Sequence, residues 1–177
     1  EGRLQLAYDS GQGFEEKLVY TPGETPLTGP TWQLVSYGDP EDPQGLVEGT
    51  TITAIFSPET DTTGTVGGNA TCNSYTTGYT LEGNNISVGP IAGTMMMCPV
   101  GAEQEQAYLA ALSAAQTYQI VGPNMQMTYD GGVLNYTSLN LPLTNVLWQA
   151  VMLNGQALPE SVEITALFTP GDEAGMG

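Results

Sequence analysis

The sequence repeats itself, and this repetition limits what the chain can fold into. Three segments recur in the same order, at offsets of 121 (125 minus 4), 116 (148 minus 32) and 112 (168 minus 56) positions. The matching pairs are Leu4–Asp9 with Met125–Asp130, Leu27–Trp32 with Leu143–Trp148, and Ile52–Pro58 with Ile164–Pro170. Three matches in the same order, which include both tryptophans, are poorly explained by chance, so we interpret the chain as copies of one tandem unit.

The offsets divide the chain into one whole repeat and two partial ones. Residues 1–26 are predicted to be the C-terminal part of a preceding repeat, residues 27–141 a complete domain, and residues 142–177 the N-terminal part of a following repeat. The chain does not begin with Met and shows no signal peptide, so we expect a segment of a longer secreted precursor.

Within residues 27–141 the pattern predicts about eight short strands and one helix. Apolar residues alternate along Thr51–Phe56, which indicates a strand. Residues Ala102–Ala115 are rich in helix formers and place Tyr108, Leu109 and Leu112 at helical spacing. The expected class is α+β, mainly antiparallel. Large aromatic residues at equivalent repeat positions are predicted core anchors: Trp32, Phe56, Trp148 and Phe168.

The charge balance argues against several functions. The chain carries two basic residues, no histidine and a formal net charge of -17. Nucleic acid is a poor candidate partner because phosphate binding requires clustered Lys and Arg. Most nucleophile–base arrangements are also missing, so we predict no enzyme and no cofactor. No stretch has the roughly 20 apolar residues of a transmembrane segment.

Two cysteines, Cys72 and Cys98, indicate one disulfide in an oxidising compartment, and two buried free thiols are the alternative. The disulfide reading places the protein outside the cytoplasm, either secreted or in the cell envelope.

Other candidate sites are weak. The acidic loop with Asp39, Glu41 and Asp42 could bind calcium, although a solvated loop is the simpler interpretation. The run Met95–Met97 could suggest a soft metal, but neighbouring strand residues alternate between faces, and core filling is the preferred prediction. Three sequons offer glycosylation acceptors, at Asn69, Asn85 and Asn135, with burial near Cys72 expected for the first.

The residues of the complete repeat resemble the META (HslJ-like) domain family. The resemblance is carried by Trp32, Phe56, Gly68–Tyr75, Thr94–Cys98 and the helix with Glu105, Tyr108 and Leu112, and it covers residues 27–141. It departs at Thr71, where the family has a glycine directly before the cysteine. The resemblance implies antiparallel strands wrapped around one helix, an envelope or extracellular location, and links with stress response, and it offers no catalytic residues.

Two functions follow as expectations. The first is a non-enzymatic, secreted or cell-surface structural protein built of META-like repeats, whose partners are other copies and whose subunits pair strands to form a filament or sheath. The second is a monomeric envelope stress-response protein that binds a small ligand or a protein partner.

Overall fold

The computed structural model describes residues 4–9, 15–139, 147–159 and 161–168. The elements in chain order are Leu4–Asp9 (β1), Glu15–Glu24 (β2), Thr31–Gly38 (β3), Gln44–Gly45 (β4), Thr53–Pro58 (β5), Thr63–Asn69 (β6), Ser74–Glu82 (β7), Asn85–Val88 (β8), Ala92–Gly93 (β9), Ala102–Ser113 (α1), Ala115–Val121 (β10), Asn124–Tyr129 (β11), Gly132–Ser138 (β12), Leu147–Leu153 (β13), Gln156–Ala157 (β14) and Thr165–Leu167 (β15).

The chain forms two compact units. One comprises Pro26–Asn140, and the other combines Glu1–Thr25 with Leu141–Gly177. The first unit differs by one residue at each end from the complete repeat predicted at 27–141. In the described part of the chain, no helix has the length and hydrophobicity that a bilayer-spanning segment needs.

The unit Pro26–Asn140 is a closed antiparallel barrel. Its strand order is β12-β11-β10-β8-β7-β6-β5-β3, and the pairing of β12 with β3 closes the ring at eight strands. The two-residue strands β4 and β9 are additions to β3 and β7. The predicted mainly antiparallel architecture with one helix is therefore confirmed.

The period-two pattern of the strands fills the barrel. Along β7, Tyr75, Thr77 and Tyr79 are buried, whereas the residues between them are exposed. Each large apolar side chain removed from water stabilises the fold by about 1.5–3 kcal/mol. The largest buried side chains of the barrel include Trp32, Phe56, Tyr108, Leu112, Met127, Leu134 and Tyr136.

Helix α1 lies against the barrel with one face. Gln104, Tyr108, Ala111 and Leu112 are buried, and other helix positions, such as Glu103, are exposed. The strands therefore cover one side of the helix and do not enclose it, whereas the expectation was that the strands wrap around the helix.

The second unit contains a five-stranded antiparallel sheet. Its order is β1-β2-β13-β14, and β15 also pairs with β13. A small cluster of Tyr20, Trp148 and Ala150 is buried in this unit, and Phe168 packs against it half-buried. The predicted anchors Trp32, Phe56 and Trp148 are thus core residues, while Phe168 lies at the border of its cluster.

Candidate functional site

The two cysteines form a disulfide that joins two loops at one end of the barrel. Cys72 lies between β6 and β7, Cys98 precedes α1, and their Cα atoms are 5.9 Å apart. The predicted disulfide is confirmed, and the alternative of two free thiols is wrong. In the chain-entropy account, closing a loop of this length stabilises the fold by about 3 kcal/mol.

Asn73, which is only 6% exposed, connects the same two loops through its side-chain amide. Its Oδ1 accepts hydrogen bonds from the Thr94 hydroxyl (2.8 Å) and the Met96 N–H (2.7 Å). Its Nδ2 donates to the Met96 carbonyl oxygen (3.1 Å) and to Glu105 Oε1 (2.7 Å). A buried amide with four such bonds is fully satisfied, so Asn73 fixes the loop before α1.

Glu105 links the first turns of α1 to the loop around Cys72. Its Oε2 accepts hydrogen bonds from the backbone N–H groups of Cys72 (3.1 Å) and Asn73 (2.9 Å). Burial alone would raise the pKa of this carboxyl, but the hydrogen bonds from Asn73 and Cys72 outweigh burial and lower the pKa. The group is therefore a carboxylate near neutral pH and serves as an acceptor, not as a general acid.

Gln104 anchors the helix to the β6–β7 loop and to the segment between β4 and β5. This residue is 2% exposed, and its Nε2 donates to the hydroxyls of Thr50 (2.8 Å) and Thr71 (2.9 Å). Its Oε1 accepts a hydrogen bond from the Val47 N–H (2.6 Å). Thr71 has φ = 132°, a region of backbone conformation that favours glycine.

Three buried tyrosines meet inside the barrel. The Tyr108 hydroxyl lies 2.6 Å from that of Tyr75 and accepts a hydrogen bond from that of Tyr136 (3.3 Å), and the Tyr75 hydroxyl donates to the Thr53 carbonyl oxygen (3.0 Å). Burial raises the pKa of all three phenols well above their usual value. The cluster is neutral and connects α1 to the strands, with no ionised phenol available for chemistry.

The acidic loop predicted as a weak cation site is exposed. Asp39, Glu41 and Asp42 all face solvent, and Asp39 Oδ1 accepts a hydrogen bond from the Glu41 N–H (2.9 Å). Within the described residues, the group of acidic or cysteine side chains that converges as metal ligands would is Cys72, Cys98 and Glu105. The disulfide occupies both sulfurs of that group, so the arrangement is a structural junction.

The prediction that Met95–Met97 fill the core is wrong. The three side chains are 98%, 60% and 96% exposed, on a segment without regular secondary structure. The core prediction failed because Asn73, and not a neighbouring strand of the barrel, holds this segment, which leaves its side chains at the surface.

The predicted sequons also differ in accessibility. Asn85 and Asn69 are exposed, so the expected burial of Asn69 near Cys72 is wrong, because its side chain caps the Thr71 N–H (2.7 Å) at the surface. Asn135 is half-buried and donates to the Ser36 hydroxyl (3.0 Å).

The roles of Asn73, Gln104 and Glu105 were not predicted from the sequence. Glu105 was noted only as one of the residues that carry the family resemblance, and Gln104 is not among the apolar helix positions Tyr108, Leu109 and Leu112. The one available signal was a polar residue, Asn73, directly after a cysteine, and this signal does not specify its partners.

These features define a class of protein: a small closed β-barrel with a disulfide-anchored helix, organised around a buried asparagine. The profile of the META domain matches residues 25–140, and the chain belongs to the META domain family.

One solved structure, an NMR structure of a protein from Burkholderia xenovorans, is similar to this chain. It is 28% identical with a TM-score of 0.53, and the match covers 63% of this chain and 83% of that one. No curated protein sequence matches the chain.

Proposed function

We propose that this chain is part of a non-enzymatic structural protein of the cell surface, built of META-like repeats that join by strand pairing between subunits. The assembly would be a filament or sheath whose partners are further copies of the same unit. The observation that carries the proposal is that the five-stranded sheet repeats the register of part of the barrel.

The matching register is found at each corresponding pair of strands. In the barrel, Trp32 pairs with Ala54 and Tyr136 with Leu34. In the second unit, Trp148 pairs with Ala166 and Tyr20 with Ala150. Tyr136 follows Tyr20, and Ala150 follows Leu34, by the same 116 positions (136 minus 20, and 150 minus 34). The pairings β12–β3 and β2–β13 share a register shift, next to Tyr136 in the first and next to Tyr20 in the second, and β2–β13 has a further shift beside Trp148.

This equivalence supports reading the second unit as half of a META-like barrel. The strands β15-β13-β2-β1 correspond to β5-β3-β12-β11, which are four of the eight strands of the closed ring. Within the described residues, β1 and β15 each pair on one side only. Strand edges of this kind are templates for pairing with another chain.

The absence of an enzymatic role is supported by the composition and by the junction around Cys72. The whole sequence has no histidine, Glu105 is engaged by hydrogen bonds, and the barrel interior holds packed side chains. An extracytoplasmic location is supported by the disulfide, since such bonds persist in oxidising compartments.

The test is the native mass and shape of the full chain, by light scattering combined with negative-stain microscopy. Regular polymers whose length grows with concentration are expected. A fragment of residues 26–140, which lacks both partial repeats, is the matched control and should remain monomeric. A full chain that is monomeric at high concentration would rule out assembly by strand pairing.

A specific observation favours the second candidate, an envelope protein that binds a ligand. An open groove of about 370 Å³ lies on the outside of the barrel and is lined by amide side chains and exposed valines. The lining includes Val35, Gln119, Val121, Asn124 and Gln126. A monomeric full chain would shift the proposal to ligand binding at this groove.

A further inference from the structure

Met95 and Met97 project their thioethers into solvent beside the disulfide. They are 98% and 96% exposed, whereas Met125 and Met127, in the barrel core, are 1% and 0% exposed. Leaving two large, mostly apolar side chains in water forgoes the stabilisation that their burial would give. The core therefore does not explain why methionines stand at these positions.

The hydrogen bonds of Met96 define the direction of its neighbours. Both its N–H and its carbonyl oxygen bind the amide of Asn73, at 2.7 and 3.1 Å. The two backbone groups of one residue point the same way when that residue is extended, as in a β-strand. In an extended segment, residues two apart lie on the same side, so Met95 and Met97 share one side and Met96 faces the other. The lower exposure of Met96, 60%, agrees with this alternation.

The segment is held in this form before any ligand arrives. The Asn73 amide is buried and is itself fixed by Glu105 (2.7 Å) and Thr94 (2.8 Å). The disulfide anchors Cys98 directly after Met97. Rigid support of this kind reduces the entropy cost of bringing two donors to one ion.

The donors determine which ion fits. A thioether is a soft, neutral sulfur ligand, which selects ions such as Cu(I) over the hard cations that carboxylates prefer. The barrel unit has ten acidic and no basic residues between positions 26 and 140, so its negative potential attracts cations.

We propose that Met95 and Met97 form a surface binding site for a soft monovalent metal ion, Cu(I) or Ag(I). The two thioether sulfurs coordinate one ion from the same side of the extended segment, whose central residue, Met96, is held by Asn73. This site is independent of the assembly proposed above, because it needs only the barrel.

The probe is silver nitrate added to the full chain in chloride-free buffer, after a free-thiol assay has shown that the disulfide is intact. Binding is followed by native mass spectrometry and by the NMR signals of the methionine methyl groups. One silver ion per chain is expected, with shifts of the Met95 and Met97 methyl signals and none for Met125 or Met127.

Three single variants test whether silver binding depends on the positions of the thioethers or only on their number. Met95→Leu and Met97→Leu should each weaken silver binding by at least about tenfold, a typical effect of disturbing a metal site. Met96→Leu, which removes an equal thioether on the other side, should leave the affinity unchanged. All three positions are exposed, so the variants should fold like the parent, as circular dichroism can check.

Two results would overturn the proposal. If Met96→Leu weakens binding as much as the other two variants, the ion is not held by the Met95–Met97 pair. If the double variant Met95→Leu/Met97→Leu binds silver as tightly as the parent, the ligands are elsewhere.

Discussion

Thr71 holds a backbone conformation that β-branched residues rarely adopt. A non-glycine residue at φ = 132° costs on the order of 1–3 kcal/mol. The conformation persists because the Thr71 hydroxyl accepts a hydrogen bond from the buried Gln104 (2.9 Å) and because the adjacent Cys72 is fixed by its disulfide. A glycine at this position would remove the strain and lose the hydrogen bond.

Two substitutions at Thr71 separate these effects. Both Thr71→Gly and Thr71→Ala remove the hydrogen bond, but only glycine relieves the strain. We expect the glycine variant to be more stable by about 1–2 kcal/mol in urea denaturation. At Thr76, exposed on β7, the usual order should hold, with glycine about 0.5–1 kcal/mol less stable than alanine. Equal stability of the two Thr71 variants would show that the residue is not strained.

Glu105 makes the stability of the fold depend on pH in the acidic range. Because hydrogen bonds lower the pKa of this carboxyl in the folded state, its contribution is fully present above the ordinary glutamate pKa. It is lost as the pH falls through the lower, folded-state value. Glu105→Gln should lower the free energy of unfolding at pH 7 by about 1–3 kcal/mol, since its NH₂ group would face N–H donors.

The same comparison at pH 3 provides the check. The difference between the parent and Glu105→Gln should shrink there, because below the ordinary glutamate pKa the carboxyl of the unfolded chain is protonated and the folded carboxylate contributes less to stability. Glu103→Gln, at an exposed position in the same turn, is the matched control and should have little effect at either pH. A loss at pH 3 as large as at pH 7 would mean that the charge of Glu105 is not what stabilises the loop.

At the scale of elements, the tyrosine cluster ties α1 to β7 and β12. Tyr75, Tyr108 and Tyr136 each come from a different element, and their hydroxyls are hydrogen-bonded in the core. Because burial raises the pKa of each phenol in the folded state, the fold keeps its stability below the ordinary tyrosine pKa near 10 and loses it as the pH rises above that value.

A tyrosine titration followed at 295 nm tests this packing. Of the nine tyrosines, these three should remain neutral until the protein unfolds at alkaline pH, and Tyr79, whose pKa is also raised by burial, should titrate later than an exposed phenol. Tyr136→Phe should remove one phenol from the group that ionises only on unfolding, without the large loss of core volume that alanine would cause. Ionisation of all nine phenols in one continuous curve, with circular dichroism unchanged, would contradict the buried cluster.

The elements themselves could be predicted where one physical signal dominates. Alternation identified strands such as β5, and helix-forming residues identified α1, although the helix ends at Ser113 and not at Ala115. Local sequence carries little information about β4 and β9, which are two residues long and form because a neighbouring strand offers hydrogen bonds.

The candidate site could be predicted only in part. Cys72 and Cys98 were identified because cysteine chemistry is specific to the residue type. The bonds of Asn73 to Met96 and Glu105 join residues 23 and 32 positions apart, and these contacts exist only after the barrel has formed. The exposure of Met95 and Met97 was missed for the same reason, because the sequence does not show that the Asn73 side-chain amide binds the backbone of this segment.

At the scale of the whole molecule, the unit Pro26–Asn140 has a closed ring, a core and a disulfide of its own. We therefore expect a fragment of residues 26–140 to fold without the flanking segments. Its circular dichroism should show one cooperative thermal transition, and its amide NMR signals should be well dispersed. A fragment that stays unfolded in the oxidised state would mean that the barrel depends on the rest of the chain.

The position of Asn73 also has a consequence for how the disulfide forms. Its Nδ2 lies 3.6 Å from the Cys72 sulfur and 3.4 Å from the Cys98 sulfur, and its bonds to Met96 do not require the sulfurs to be joined. A newly synthesised chain can therefore bring its two thiols together by folding and be oxidised afterwards. If folding comes before oxidation, an oxidase acts on a substrate that is already native-like. In a chain whose two cysteine loops have not yet come together, each thiol lacks an intramolecular partner.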